Sequence, residues 1–167
     1  MKTIFYIDGF NLYYGACCRD GKRYRWLNIA ELCRRLRQDS DIVEIKYFTA
    51  KIKSPPETAY RQETYLRALR SLPQVSIIEG SYLQSFPCMR LKTPPPPSVQ
   101  VIKNEEKGTD VNIAMHMRLD ALDGKAARLA LVSNDSDLVS PVREIISRWQ
   151  IPVHVFSPHI QKSRAHA

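Results

Sequence analysis

The stretch Tyr6-Ile7-Asp8-Gly9-Phe10-Asn11 decides the fold. The apolar run from Ile4 to Ile7 reads as a buried strand, and Gly9 breaks it immediately afterwards. An aspartate at the C-terminal end of a first strand sits where open α/β sheets place their ligands. Two later stretches repeat that arrangement. Asp110 follows Lys107-Gly108-Thr109 at a predicted helix start. Asp135 and Asp137, in Ser133-Asn134-Asp135-Ser136-Asp137, end a second apolar run, Leu129 to Val132.

Working outward, five strands are predicted: Thr3 to Asp8, Val43 to Ala50, Val75 to Gly80, Leu129 to Ser133, and Pro152 to Phe156. Between them lie helical stretches. Asn11 to Tyr14 reads as a short turn, and Asn28 caps a helix from Ile29 to about Gln38. Pro55-Pro56-Glu57 opens a helix to about Leu72, as proline suits a first turn. Gly108 or Thr109 opens another to about Leu122, with Val111, Ala114, Met115, Arg118 and Leu119 between core and flank. A last helix begins at Asp135, with Leu138, Val142, Ile145 and Ile146 inward. Alternating strands and helices imply an α/β fold with a mainly parallel five-stranded sheet, order 3-2-1-4-5, and helices on both faces. Asp8, Asp110, Asp135 and Asp137 then meet at the carboxyl ends of central strands.

The 167 residues suit one domain, read as residues 1–157 with a polar tail at 158–167. A proline-rich arm at about 85–98 contains Pro94 to Pro97, which cannot join a central ladder, and is expected to form a hairpin-like excursion across the mouth of the site. Tyr82-Leu83 and Val99 to Ile102 are its expected strands. No apolar run is long enough to span a membrane, and the N-terminus lacks a signal-peptide pattern, so the expected compartment is the cytoplasm. Cys17, Cys18, Cys33 and Cys88 lack a paired CxxC spacing and read as reduced; the four histidines lack a zinc spacing.

Net charge of +8 and a pI near 9.5 favour a polyanionic partner. A basic surface around a carboxylate cluster suits a phosphate substrate met through a divalent cation. Converging carboxylates repel one another, and a hard cation with oxygen ligands relieves this. Asp8, Asp110 and Asp135 are the expected ligands, with Asp137 binding through water or orienting the nucleophile. Asn11 is expected to hold a phosphate oxygen or Asp8. Lys107 would pin the scissile phosphate, and Thr109 and Ser133 would be helix caps or supporting donors. Asn134 joins this substrate-binding set. Arg19, Lys22, Arg23, Arg25, Lys51 and Lys53 are candidates for tracking a nucleic-acid backbone, and Tyr13 or Tyr14 for stacking a base. Glu105 and Glu106 are read as rim acids. Each feature alone has a plainer reading, as a turn, a helix cap or a core tyrosine; their coincidence at adjoining element ends weakens it.

Together Ile7-Asp8-Gly9-Phe10-Asn11-Leu12, Glu106-Lys107-Gly108-Thr109-Asp110-Val111-Asn112 and Ser133-Asn134-Asp135-Ser136-Asp137-Leu138 resemble the NYN domain. They are most similar to the bacterial LabA-like (DUF88) branch of the PIN-like nucleases. The resemblance runs in order from the first strand through Phe156. It implies a Rossmann-like PIN fold, an acidic Mg²⁺ or Mn²⁺ site at Asp8, Asp110, Asp135 and Asp137 with Asn11, and hydrolysis of RNA phosphodiesters. RNA, single-stranded or structured, is then the expected partner, and a homodimer or a protein partner stays open. The alternative is an RNA-binding or regulatory module with little or no activity, against which the intact acidic set argues. A haloacid-dehalogenase-type phosphohydrolase would need a second aspartate where this chain has Phe10.

Overall fold

In the computed structural model, which describes residues 1–18 and 23–159, β1 (Lys2–Asp8) is the central strand, buried from Thr3 onward. Its alternation divides the core in two. Phe5 and Ile7 face one layer with Ile29, Cys33, Leu66 and Leu69, whereas Ile4 and Tyr6 face the other with Ile113, Met117, Val142 and Ile145. A strand covered on both faces has to be apolar throughout, which is why this run carries no polar alternation.

β1 pairs in parallel with β2 (Asp41–Ala50) and β7 (Arg128–Val132). β2 pairs with β3 (Val75–Ser85), and β7 with β8 (Val153–Phe156). The helices α2 (Ile29–Leu36) and α3 (Pro56–Arg70) supply the first layer; α4 (Thr109–Leu122) and α5 (Val139–Trp149) supply the second. Asn28 caps α2 by accepting from the N–H groups of Ala30 and Glu31. The short helix α1 (Gly9–Leu12) continues into a π-helical turn, Tyr13–Cys17.

The sheet is mixed and six-stranded, not the five-stranded parallel sheet expected. The five parallel strands succeed one another as predicted, but β6 (Lys103–Lys107) adds an antiparallel edge against the far half of β3. β3 therefore runs on through Tyr82 and Leu83, which are not part of the arm. The arm is a separate hairpin of β4 (Cys88–Arg90) and β5 (Ser98–Gln100), with the four prolines in its loop. The Asp135 helix is also corrected. Asp135 caps a single 3-10 turn, Ser136–Leu138, before α5 proper begins, and Ile146 at its far end is exposed.

On α4 the inward face is Thr109, Ile113, Met117, Asp120 and Ala121, leaving Val111, Met115 and Leu119 exposed. The buried aspartate is reconciled by donors. The Tyr6 hydroxyl reaches it at 2.7 Å and the Lys125 ammonium at 2.8 Å, and the buried Lys46 ammonium also donates to it. Burial works to raise the Asp120 carboxyl, but these three hydrogen bonds outweigh it and hold it below the usual range. No helix among the described residues is long and apolar enough to cross a membrane.

Candidate active site

The acidic cavity opens where β1 and β7 end and α4 begins. Asp8, Asn11, Glu106, Thr109, Asp110 and Asp135 line it, with Phe10, Tyr14 and His159 at its sides; its volume is about 300 Å³. Asp8 closes β1 and caps α1, its Oδ1 accepting the Asn11 N–H at 2.9 Å. Its Oδ2 accepts from the buried Ser133 hydroxyl at 3.0 Å, and that hydroxyl accepts the Asp135 N–H at 3.1 Å. Gly9 is required by closeness: a Cβ there would lie 2.7 Å from the Phe48 carbonyl and the Tyr47 ring.

The side chain of Asn11 ties two loops together, its Oδ1 accepting the Asn134 N–H at 3.0 Å. Asn134 in turn accepts from the Ser157 hydroxyl at 3.2 Å, which steers the chain after β8 back toward the site. Asp135 accepts the Asp137 N–H at 2.9 Å. Gly108, at φ +87°, makes the left-handed turn that joins β6 to α4, a conformation costly for other residues. That turn sets the N-terminal end of α4, with its partial positive charge, against the acids.

Neither Asp8, Asp110 nor Glu106 pairs with a lysine or arginine among the described residues. Burial pushes the Asp8 carboxyl up, partly offset by the Asn11 and Ser133 hydrogen bonds. Asp110 is pushed up to about 6 by burial and by the charges of Asp135, Asp8 and Asp137. Glu106 rises to about 7 through burial and the charges of Asp8 and Asp110, against the lowering hydrogen bond donated by the Thr109 hydroxyl.

Among the described residues no three acidic, imidazole or thiol side chains stand close enough to clasp an ion directly. The donor set nevertheless fits a hard cation. It is carboxylate-rich, burial pushes the Asp8, Asp110 and Glu106 carboxyls up, and the cavity leaves room for the waters magnesium retains. Asp8, Asp110 and Asp135 could hold such an ion. Asp137 is not part of the lining, though its charge is felt by Asp110.

Several expected residues are not brought in. Lys107 pairs with Glu105 at 3.5 Å, because alternation along β6 sends 105 and 107 to one face and Glu106 to the other. Glu106 is accordingly no rim acid but part of the lining. Arg23 is exposed, its guanidinium 5.8 Å from the Tyr24 ring centre. Lys51 pairs with Glu79 at 3.4 Å, and Lys53 is exposed. Arg19 and Lys22 lie outside the described residues. The arm contributes nothing to the lining. His159 was missed altogether, and no pattern in the tail marked it. Its ring packs against Gly15, where a Cβ would approach to 2.8 Å.

A second cavity of about 100 Å³ adjoins the first and shares Phe10 and Tyr14 with it. Arg25 lines this second cavity, as does Tyr13, rather than the acidic one.

Comparison with known proteins places this geometry. The 6-hydroxy-3-succinoylpyridine 3-monooxygenase HspA of Pseudomonas putida is 29% identical over 195 aligned residues. The alignment covers 99% of this chain but 62% of that relative, so the chain spans less than two thirds of its length. A crystal structure of a protein of unknown function from Vibrio parahaemolyticus superposes with a TM-score of 0.56 at 22% identity. It covers 92% of this chain and 79% of the other, a likeness of fold. The family model that matches spans residues 2–167, nearly the whole chain, and is that of the NYN domain. The chain belongs to the NYN domain family.

Proposed function

We propose that this NYN domain is a metal-dependent ribonuclease that hydrolyses RNA phosphodiester bonds. The observation that carries the reading is the cavity where Asp8, Glu106, Asp110 and Asp135 converge without a cationic side chain among their lining neighbours. A fold that raises the Asp8, Glu106 and Asp110 carboxyls in this way is prepared for a cation and the phosphate that follows it.

Asp8, Asp110 and Asp135 are the residues to hold Mg²⁺ or Mn²⁺, with Asp137 acting through water. The bound ion would supply an activated water and polarise a phosphoryl oxygen. The Ser133 hydroxyl and the Asn11 N–H fix the Asp8 carboxylate, so its orientation is set before substrate arrives. Glu106, near neutrality at about 7, is suited to take the proton from the attacking water. The water oxygen bonds to phosphorus as the P–O3′ bond breaks, and the departing O3′ takes a proton from solvent, leaving a 5′-phosphate and a 3′-hydroxyl. The N-terminal end of α4 offers partial positive charge to the phosphate.

The name of the Pseudomonas relative describes oxygenation of a pyridine, and a ring-binding protein without nuclease activity is the competing reading. The second, aromatic-lined cavity favours that reading as far as ring binding goes. Incubation of labelled single-stranded and structured RNA with Mn²⁺, Mg²⁺ or EDTA separates the two, with Asp8→Asn beside the unaltered chain. Cutting that needs both metal and Asp8 is the expected result. RNA bound equally by both proteins and cut by neither would make the domain a binding module.

A further inference from the structure

The second cavity has the wrong composition for a packing defect. Tyr65 and Tyr47 meet edge to face at 6.2 Å between ring centres, and Trp26 meets Tyr65 in the same manner at 6.3 Å. Trp26 is 58% exposed at the mouth, a large apolar ring left to water beside an unfilled space. The space of about 100 Å³ is of the order that accommodates one small ring.

Two polar side chains of this wall, Tyr65 and Gln62, are already engaged. Tyr65 donates its hydroxyl to the Leu27 carbonyl at 2.7 Å. Gln62 bridges the end of β2, donating to the Ala50 carbonyl at 3.0 Å and accepting the Ile52 N–H at 2.8 Å. Arg25 is half-buried in the lining, and its Nε has no acceptor among the described residues. The terminal N–H groups of the same guanidinium can donate to a ring carbonyl held in the cavity. Phe10 and Tyr14 belong to both cavities, so a ring held in one lies next to a phosphate held at the other.

We propose that this cavity binds a planar single-ring heterocycle bearing a carbonyl, namely the pyrimidine base of the nucleotide whose phosphate lies at the acidic site. The inference rests on the ribonuclease reading for its choice of ring source. Tyr65, Tyr47 and Trp26 supply the stacking and edge contacts, and Arg25 reads the ring carbonyl. The base would thereby set which phosphodiester is presented to Asp8 and Asp110.

The test uses the full chain carrying Trp149→Phe, so that fluorescence reports Trp26, with Mg²⁺ present. Uridine 5′-monophosphate is expected to quench saturably, and ribose 5-phosphate, which has no base, to leave the signal unchanged. Thr58→Phe, on the first turn of α3 at the cavity wall, should weaken the nucleotide about tenfold, the scale of one stacked base, with the melting curve unaltered. Arg25→Gln should weaken it in the same direction, which keeps the test decisive if Thr58→Phe unfolds. Quenching by nicotinate without quenching by the nucleotide would overturn the base assignment in favour of a free ring acid. RNA cut with unchanged kcat/KM by Thr58→Phe, or when its base is removed beside the scissile bond, would overturn the cavity's role while leaving the nuclease standing. Nucleotide quenching without RNA cleavage would uphold the cavity as a nucleotide-binding site and remove the nuclease instead.

Discussion

Asp120 and Asp110 lie on the same helix and meet opposite fates. Asp120 sits 1% exposed and is surrounded by donors from Tyr6, Lys46 and Lys125, so its carboxyl is held below the usual range. Asp110, ten residues earlier, faces Asp8 and Asp135 and rises to about 6. Among the described residues the fold thus supplies cations to the carboxylate it packs inside, whereas Asp8 and Asp110 pair with no lysine or arginine. Charge left without a lysine or arginine partner among the described residues is what the proposed cation would neutralise.

The largest expected effect breaks the packing side of this contrast. Asp120→Ala would leave the buried Lys46 with only the longer Glu44 pair at 3.6 Å, and should cost about 3 kcal/mol of stability in urea unfolding. Asp110→Asn, by contrast, should leave the metal-free protein as stable or more so. Equal losses in the two variants would mean that the acids at the strand ends are structural after all.

A second test acts on orientation. Ser133→Ala removes the donor to Asp8 and the acceptor of the Asp135 N–H. Steady-state cleavage should show kcat lowered by about 10–100-fold, the range for losing a group that orients a metal ligand. The melting temperature should fall by only a few degrees. An unchanged kcat would mean that Asp8 needs no such support.

The smallest effect sharpens the electrostatic side. Glu106 and Asp110 have folded values raised above their unfolded ones, so their cost is absent below about pH 4 and grows as pH rises toward 7. Glu106→Gln should therefore stabilise the metal-free protein at pH 8 by about 1 kcal/mol, discounted for partial exposure, and not at pH 4. For a chain of this size that is a melting shift of about 2–4 °C. A stabilisation independent of pH would point to packing instead of charge.

The sequence carried these regions unequally. β1 and β7 are legible because a strand buried on both faces is written as an unbroken apolar run. The acids that follow them are legible for the same reason, since they sit where those runs stop. β6 is not legible: its sequence Lys-Asn-Glu-Glu-Lys is that of a charged edge, which keeps other strands away and carries no apolar alternation. Glu106 was lost with it, although the alternation of an extended segment ending at Gly108 would have separated it from Lys107. On α4 two apolar stripes compete, Val111-Met115-Leu119 and Ile113-Met117-Ala121, and the buried one includes Asp120. Only the donors Tyr6 and Lys46, far away in sequence, make that face the inner one.

The most direct test of the central claim is calorimetric titration of Mn²⁺ into the metal-free chain at pH 5.5 and pH 8, beside Asp8→Asn. Saturable binding is predicted, tighter at pH 8 because the ion must displace protons from Asp110 and Glu106, and abolished or strongly weakened by the substitution. Binding that is absent at both pH values, or indifferent to Asp8, would contradict a cation site at the end of β1.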